Sequence, residues 1–158
     1  MLIAQITDSH ILAPGELLSD RVDTAALLAT AVAHLNALRP RPDLVRCTGD
    51  LVNDGLPAQY ANAAAILAAL EIPLVLVPGN HDDRSQLRAH FPQVPPGGPD
   101  DRIDYVLDDH PLRIVGLDTT VPGHGGGRIV AEQAAWLDGV LGAAPDRATM
   151  IFQHHPRS

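Results

Sequence analysis

Three times in its first half this chain runs a short aliphatic segment straight into residues that bind metals or turn sharply, and each time a helical pattern follows. Leu2-Ile3-Ala4-Gln5-Ile6 leads to Asp8-Ser9-His10, Asp43-Leu44-Val45-Arg46-Cys47-Thr48 leads to Gly49-Asp50, and Leu74-Val75-Leu76-Val77 leads to Gly79-Asn80-His81-Asp82. Strands that alternate with helices build parallel sheets through right-handed crossovers. Ligands of such sheets bind beyond the carboxyl ends of the strands. A fourth aliphatic run, Thr149 to Phe152, leads to His154-His155-Pro156. The pattern predicts one α/β domain over residues 1–158, with four strand ends delivering chemistry to one edge of the sheet.

The helices between are bounded by their punctuation. Arg21 to Leu38 reads as a helix whose apolar repeat is Val22, Ala25, Ala26, Ala29, Val32 and Ala33, closed by Pro40 and Pro42. Pro57 suits the first turn of a helix reaching Leu70, and a short helix is expected from Arg84 to His90. Val94 to Pro99 reads as a loop. Ile103–Leu107 and Leu112–Leu117 read as two strands about the turn Asp108-Asp109-His110-Pro111. Pro122 to Gly127 is a Gly-rich loop containing His124, followed by a helix from Ala131 to Leu141 that carries Trp136.

Charge narrows the chemistry. The formal net charge is −8 and every basic residue is Arg. With no Lys, the Gly-rich phosphate loop that needs one is excluded, and with no basic cluster general nucleic-acid binding is not expected. A chain this acidic that handles an anionic phosphate needs positive charge from bound metal ions. The apolar stretches are too short for a membrane span. The N-terminus lacks the basic leader of a secretory signal, and the single Cys47 precludes an internal disulfide, so a cytoplasmic protein is expected.

The residue types fit one another. Asp8 and His10, two apart, are expected on the same side of an extended segment, where one ion could take both. Carboxylate, amide and imidazole ligands suit Mn, Fe, Zn or Co. A carboxylate such as Asp50 can bridge two ions, and the glycines before Asp50 and Asn80 are expected to let the backbone turn.

In this order the motifs Asp8-x-His10, Gly49-Asp50, Gly79-Asn80-His81-Asp82 and His154-His155-Pro156 resemble the calcineurin-like metallophosphoesterase superfamily. Gly79 to Asp83 and Gly116 to His124 resemble the class III cyclic nucleotide phosphodiesterases and related glycerophosphodiesterases. The resemblance implies an α/β/β/α sandwich and two divalent ions. It implies that Asp8 and His10 hold the first ion, Asp50 bridges, and Asn80 and His154 hold the second, with His155 the second choice for His154. His81 would face the substrate. Read from the residues themselves, Asp82 is expected to assist catalysis by fixing an imidazole tautomer or else to cap a helix, and Asn80 and His124 to join in substrate binding, with an exposed loop the other reading of His124. A metal-bound hydroxide would attack a small phosphodiester. The family's last motif, Gly-His-x-His, has no counterpart here, so a chain truncated before its final strands is expected, with an open sheet edge that favours self-association. A scaffold that keeps the fold without activity, and a phosphomonoesterase, are the competing readings.

Overall fold

The computed structural model describes residues 1–96 and 99–156, so Gly97 and Gly98 of the expected loop lie outside the described residues, as do Arg157 and Ser158. Six strands form two three-stranded sheets. In the first, β1 (Ile3–Ile6), β2 (Leu44–Cys47) and β3 (Leu74–Leu76) lie parallel in that order, with Ile3 opposite Leu44 and Val45 opposite Leu74. In the second, β4 (Tyr105–Leu107) runs antiparallel to β5 (Arg113–Gly116), and β6 (Thr149–Phe152) runs parallel to β5. The expectation of a single sheet edge is therefore corrected: the first three motifs leave one sheet and His154 leaves the other.

Both faces of β2 are covered, which is why it reads as nearly continuous apolar sequence. Cys47 and Leu76 point to the helical side, in one core with Leu28 and Val32 of α1 (Thr24–Ala37), Tyr60, Ala63 and Leu67 of α2 (Pro57–Leu67), and Leu87 of α3 (Arg84–His90). On the opposite side Leu44 and Val77 pack against Ile114 and Phe152, joining the two sheets. Each large aliphatic side chain buried in this way contributes about 1.5–3 kcal/mol. Arg46 is the exception on β2. Its guanidinium lies 5.7 Å from the Phe152 ring centroid and donates to Gln5 Oε1 at 2.5 Å.

α1 begins three residues later than its apolar pattern suggests. The Asp23 carboxylate accepts from Ala26 N at 2.8 Å and caps the helix, leaving Arg21 and Val22 in the preceding turn. The buried face is Thr24, Leu28, Val32 and Leu35, so of the expected stripe only Val32 is buried. In an Ala-rich helix small residues fit any side, and the larger Leu28 and Leu35 decide which face turns inward. α2 ends at Leu67, short of Leu70. α4 (Ala131–Gly142) is tied to the second sheet by polar contacts. Gln133 Nε2 donates to Asp104 Oδ1 at 2.9 Å and to the Asp118 carbonyl at 2.8 Å, and Arg113 donates to the Val140 carbonyl. Among the described residues no helix is long and apolar enough to cross a membrane.

Candidate metal centre

Beyond β1 and β2 the two chains stay side by side. Asp8 N donates to the Gly49 carbonyl at 3.1 Å, His10 N to that of Asp50 at 3.0 Å and Ile11 N to that of Leu51 at 3.0 Å. Between these rungs Asp8, His10 and Asp50 each take left-handed backbone, with φ of 52°, 44° and 50°. Asp8 and His10 therefore do not share one side of an extended segment. They are turned toward Asp50 by conformations that non-glycine residues enter at a cost.

Asp50 is the centre. Its side chain is only 7% exposed. Oδ1 accepts from His81 N at 3.0 Å, while Oδ2 lies 3.7 Å from His10 Nε2 and 3.5 Å from His154 Nε2. Two groups of ligand-type atoms result, Asp8–Asp50–His154 and His10–Asp50–His81, each with its atoms within 4.8 Å of one another. Asp50 belongs to both. The first group needs both sheets, whereas the second is assembled from the first sheet alone.

Hydrogen bonds fix the ring states. The Nδ1–H of His154 donates to the Thr48 carbonyl at 2.8 Å, and that of His81 to the Asn53 carbonyl at 2.5 Å. A carbonyl can only accept, so each ring keeps its proton on Nδ1, and in the neutral state Nε2 carries a free lone pair, as a metal-ligating imidazole requires. His10 directs Nε2 toward Asp50, and its Nδ1 is buried without a hydrogen-bond partner. Glycine makes the packing possible at two points. A Cβ on Gly49, whose φ is +97°, would stand 2.7 Å from His154 Nδ1, and one on Gly79 would stand 2.2 Å from Asp50 Oδ1. Gly79 itself is not left-handed, so its role is close approach rather than the turn expected of it. Two carboxylates and three imidazoles, gathered in two groups that share the buried Asp50, form a donor set that fits divalent cations.

The other sequence candidates lie outside these two groups of carboxylates and imidazoles. Asn80 is exposed at the turn before His81 and lines a cavity with Asp83, Arg84, Thr120 and Pro122. His124 is exposed in the Gly-rich loop and belongs to neither group. His155 is buried, with Nδ1 2.8 Å from Thr119 Oγ1, and burial lowers its basicity. Burial pushes the Cys47 thiol up to about 12, which removes it as a thiolate ligand. Asp82 holds backbone instead of an imidazole. It accepts from Gly79 N at 2.9 Å, Leu51 N at 3.2 Å, Val52 N at 3.3 Å and the Tyr60 hydroxyl at 3.1 Å. The His81 tautomer is set by the Asn53 carbonyl, so the expected tautomer-fixing role of Asp82 is corrected.

A sequence model of the calcineurin-like phosphoesterases matches residues 1–158. The chain belongs to that family. It is 39% identical over 160 residues to a glycerophosphodiester phosphodiesterase of Enterobacter lignolyticus, covering 99% of this chain and 57% of that protein. A probable glycerophosphodiester phosphodiesterase of Arcobacter nitrofigilis is 33% identical over 156 residues, with 99% and 57% covered. A cAMP/cGMP dual specificity phosphodiesterase of Mycobacterium tuberculosis is 37% identical, with 98% and 49% covered. This calcineurin-like phosphoesterase chain thus spans about half the length of the curated relatives it matches. Among solved structures, the purple acid phosphatase of yellow lupin seeds superposes with a TM-score of 0.61 at 16% identity, covering 90% of this chain and 27% of that one, which is a likeness of fold.

Two residues that tie down the loops around this cluster were not singled out from sequence. Asp118 is fully buried and takes the Arg84 guanidinium on both oxygens, at 2.5 and 3.0 Å. Tyr60, also fully buried, accepts from Asp83 N at 2.7 Å while donating to Asp82. An acid directly after the strand segment Leu112–Leu117, and a lone aromatic in an Ala-rich helix, are the signals that could have found them.

Proposed function

We propose that this chain supplies the core of a two-metal phosphodiesterase acting on small diesters of the glycerophosphodiester or cyclic nucleotide type. The observation that carries the reading is that one carboxylate, Asp50, is shared by two groups of metal-type ligands. The names of the relatives supply the substrate class.

Asp8, His10, Asp50, Asn80 and His154 are the proposed ligands, with Asp50 between the two ions and His154 preferred over His155 because its Nε2 faces Asp50. Mn, Fe, Zn or Co, once bound, supplies Lewis acidity and lowers the pKa of water toward 7. His81 is exposed beside this cluster, its ring edge-on to His10 at 4.8 Å between centroids. With Nδ1–H held by Asn53, a protonated His81 presents Nε2–H to a phosphoryl or leaving oxygen. Asn80, exposed beside His81, and His124, exposed in the Gly-rich loop, are the proposed contacts for the rest of the diester. The lone, buried Cys47 accords with work in a reducing cytoplasm.

The test is hydrolysis of bis(p-nitrophenyl) phosphate by this chain with added Mn²⁺, beside Asp50→Ala. Activity lost on substitution and on chelation is expected. Hydrolysis that survives both would overturn the reading. Parallel rates on cyclic AMP and on glycerophosphodiesters then choose between the two substrate types.

A further inference from the structure

We infer that Arg84 and Asp118 form a positioning pair, which fixes the His81 turn of the first sheet against the second sheet. The inference rests on the two-metal reading above for its consequence, though not for its geometry. Arg84 opens α3 directly after the turn that carries Asn80 and His81, and Asp118 follows β5. The guanidinium grips both carboxylate oxygens, at 2.5 and 3.0 Å, and also donates to Thr120 Oγ1 at 2.6 Å and the Thr120 carbonyl at 3.0 Å. Asp118 is itself immobilised by Ile103 N at 3.0 Å and Thr120 N at 3.0 Å. A fork held at both ends transmits orientation as well as charge.

The reason such a clamp matters lies in how the site is assembled. His81 belongs to the first sheet, His154 to the second, and Asp50 stands 3.5 Å from the His154 ring nitrogen. A small slide of one sheet on the other would draw His154 away from Asp8 and Asp50 while leaving each sheet whole. The Arg84–Asp118 pair spans that joint at the end where the ligands lie. The hydrogen bonds of Arg84 go to Asp118 and Thr120 and not to a member of either ligand group, so it acts through the turn that it anchors.

The experiment compares the full chain with Arg84→Ala and Arg84→Lys, using amide hydrogen exchange, Mn²⁺ titration and rescue by free guanidinium. In Arg84→Ala, exchange over residues 79–83 should rise about tenfold more than over β2, as local opening and not global unfolding. Mn²⁺ affinity at the weaker position should fall about 10–100-fold, the usual cost of losing an outer support. Guanidinium should restore both, methylammonium should not, and Arg84→Lys should resemble Arg84→Ala because it keeps the charge without the fork. Uniform exchange across the chain, or an unaltered Mn²⁺ titration, would overturn the inference. So would full recovery in Arg84→Lys, or a raised KM at unchanged kcat, since that would make Arg84 a substrate contact. A parent chain that binds no Mn²⁺ would defeat the two-metal reading instead, and the exchange comparison would still decide whether the pair holds the turn.

Discussion

Asp82 and Asp118 both pin loops at the site, one inside the first sheet and one between the sheets, and their electrical settings are opposite. Asp82 meets only neutral donors: three backbone N–H groups and the Tyr60 hydroxyl. Burial, incompletely offset by those bonds, pushes its carboxyl above the ordinary range. Asp118 is also buried, but the Arg84 guanidinium and the Thr120 hydroxyl outweigh that and hold its carboxyl below the ordinary range. The difference teaches where each is fragile. Removing the charge of Asp82 strands no ion, whereas removing that of Asp118 strands a cation.

The largest effect is therefore expected from Asp118→Asn. It leaves the mostly buried Arg84 without its counter-charge, and about 3–5 kcal/mol of unfolding free energy should be lost, measured by denaturant titration. Asp82→Asn should cost less, about 1–3 kcal/mol, because an amide NH₂ would confront backbone donors without orphaning a charge. A loss for Asp82→Asn as large as that for Asp118→Asn would break the contrast. Tyr60→Phe sharpens it further. The variant deprives Asp82 of one donor and Asp83 N of its acceptor, and a loss of about 1–2 kcal/mol is expected from thermal melting.

The smallest effect is one of acidity. The folded carboxyl of Asp118 is depressed, so its stabilisation is complete above the unfolded value near 4 and is lost as pH falls through the lower folded value. The stability gap between the parent chain and Asp118→Asn should hold constant from pH 7 to about 4 and close below that, followed by circular dichroism melts. For Asp82 the sign reverses: its raised folded value makes ionisation costly to the fold as pH rises through it. A gap that closed well above pH 4 would show that Asp118 is not held by its cation.

Much of this was legible in local sequence. α3 and β6 lie where their patterns put them, and the hairpin of β4 and β5 turns at Asp108 to Pro111 as expected. Aliphatic runs ending in Gly or Asp carry that information within a few residues. What could not be read depends on distant partners. The inward face of α1 was hidden because alanines fit any side. The sheet to which β6 belongs follows from pairing with Arg113–Gly116, 36 positions away. The clamps made by Tyr60 and Asp118 join residues 22 and 34 apart. Spacing placed Asp8 and His10 near each other but misjudged the path between them, since the backbone is left-handed at both residues while it pairs with Gly49 to Leu51.

Those left-handed turns set durability against capability. Asp8, His10 and Asp50 occupy backbone states where glycine would rest more easily, and each such residue carries a strain of about 1 kcal/mol or more. Drift that rewards only a sturdier protein would thus tend to erase these side chains first. Descendants that outlast this chain under heating, having exchanged these residues for glycine, would be the ones that had forfeited the candidate ligands.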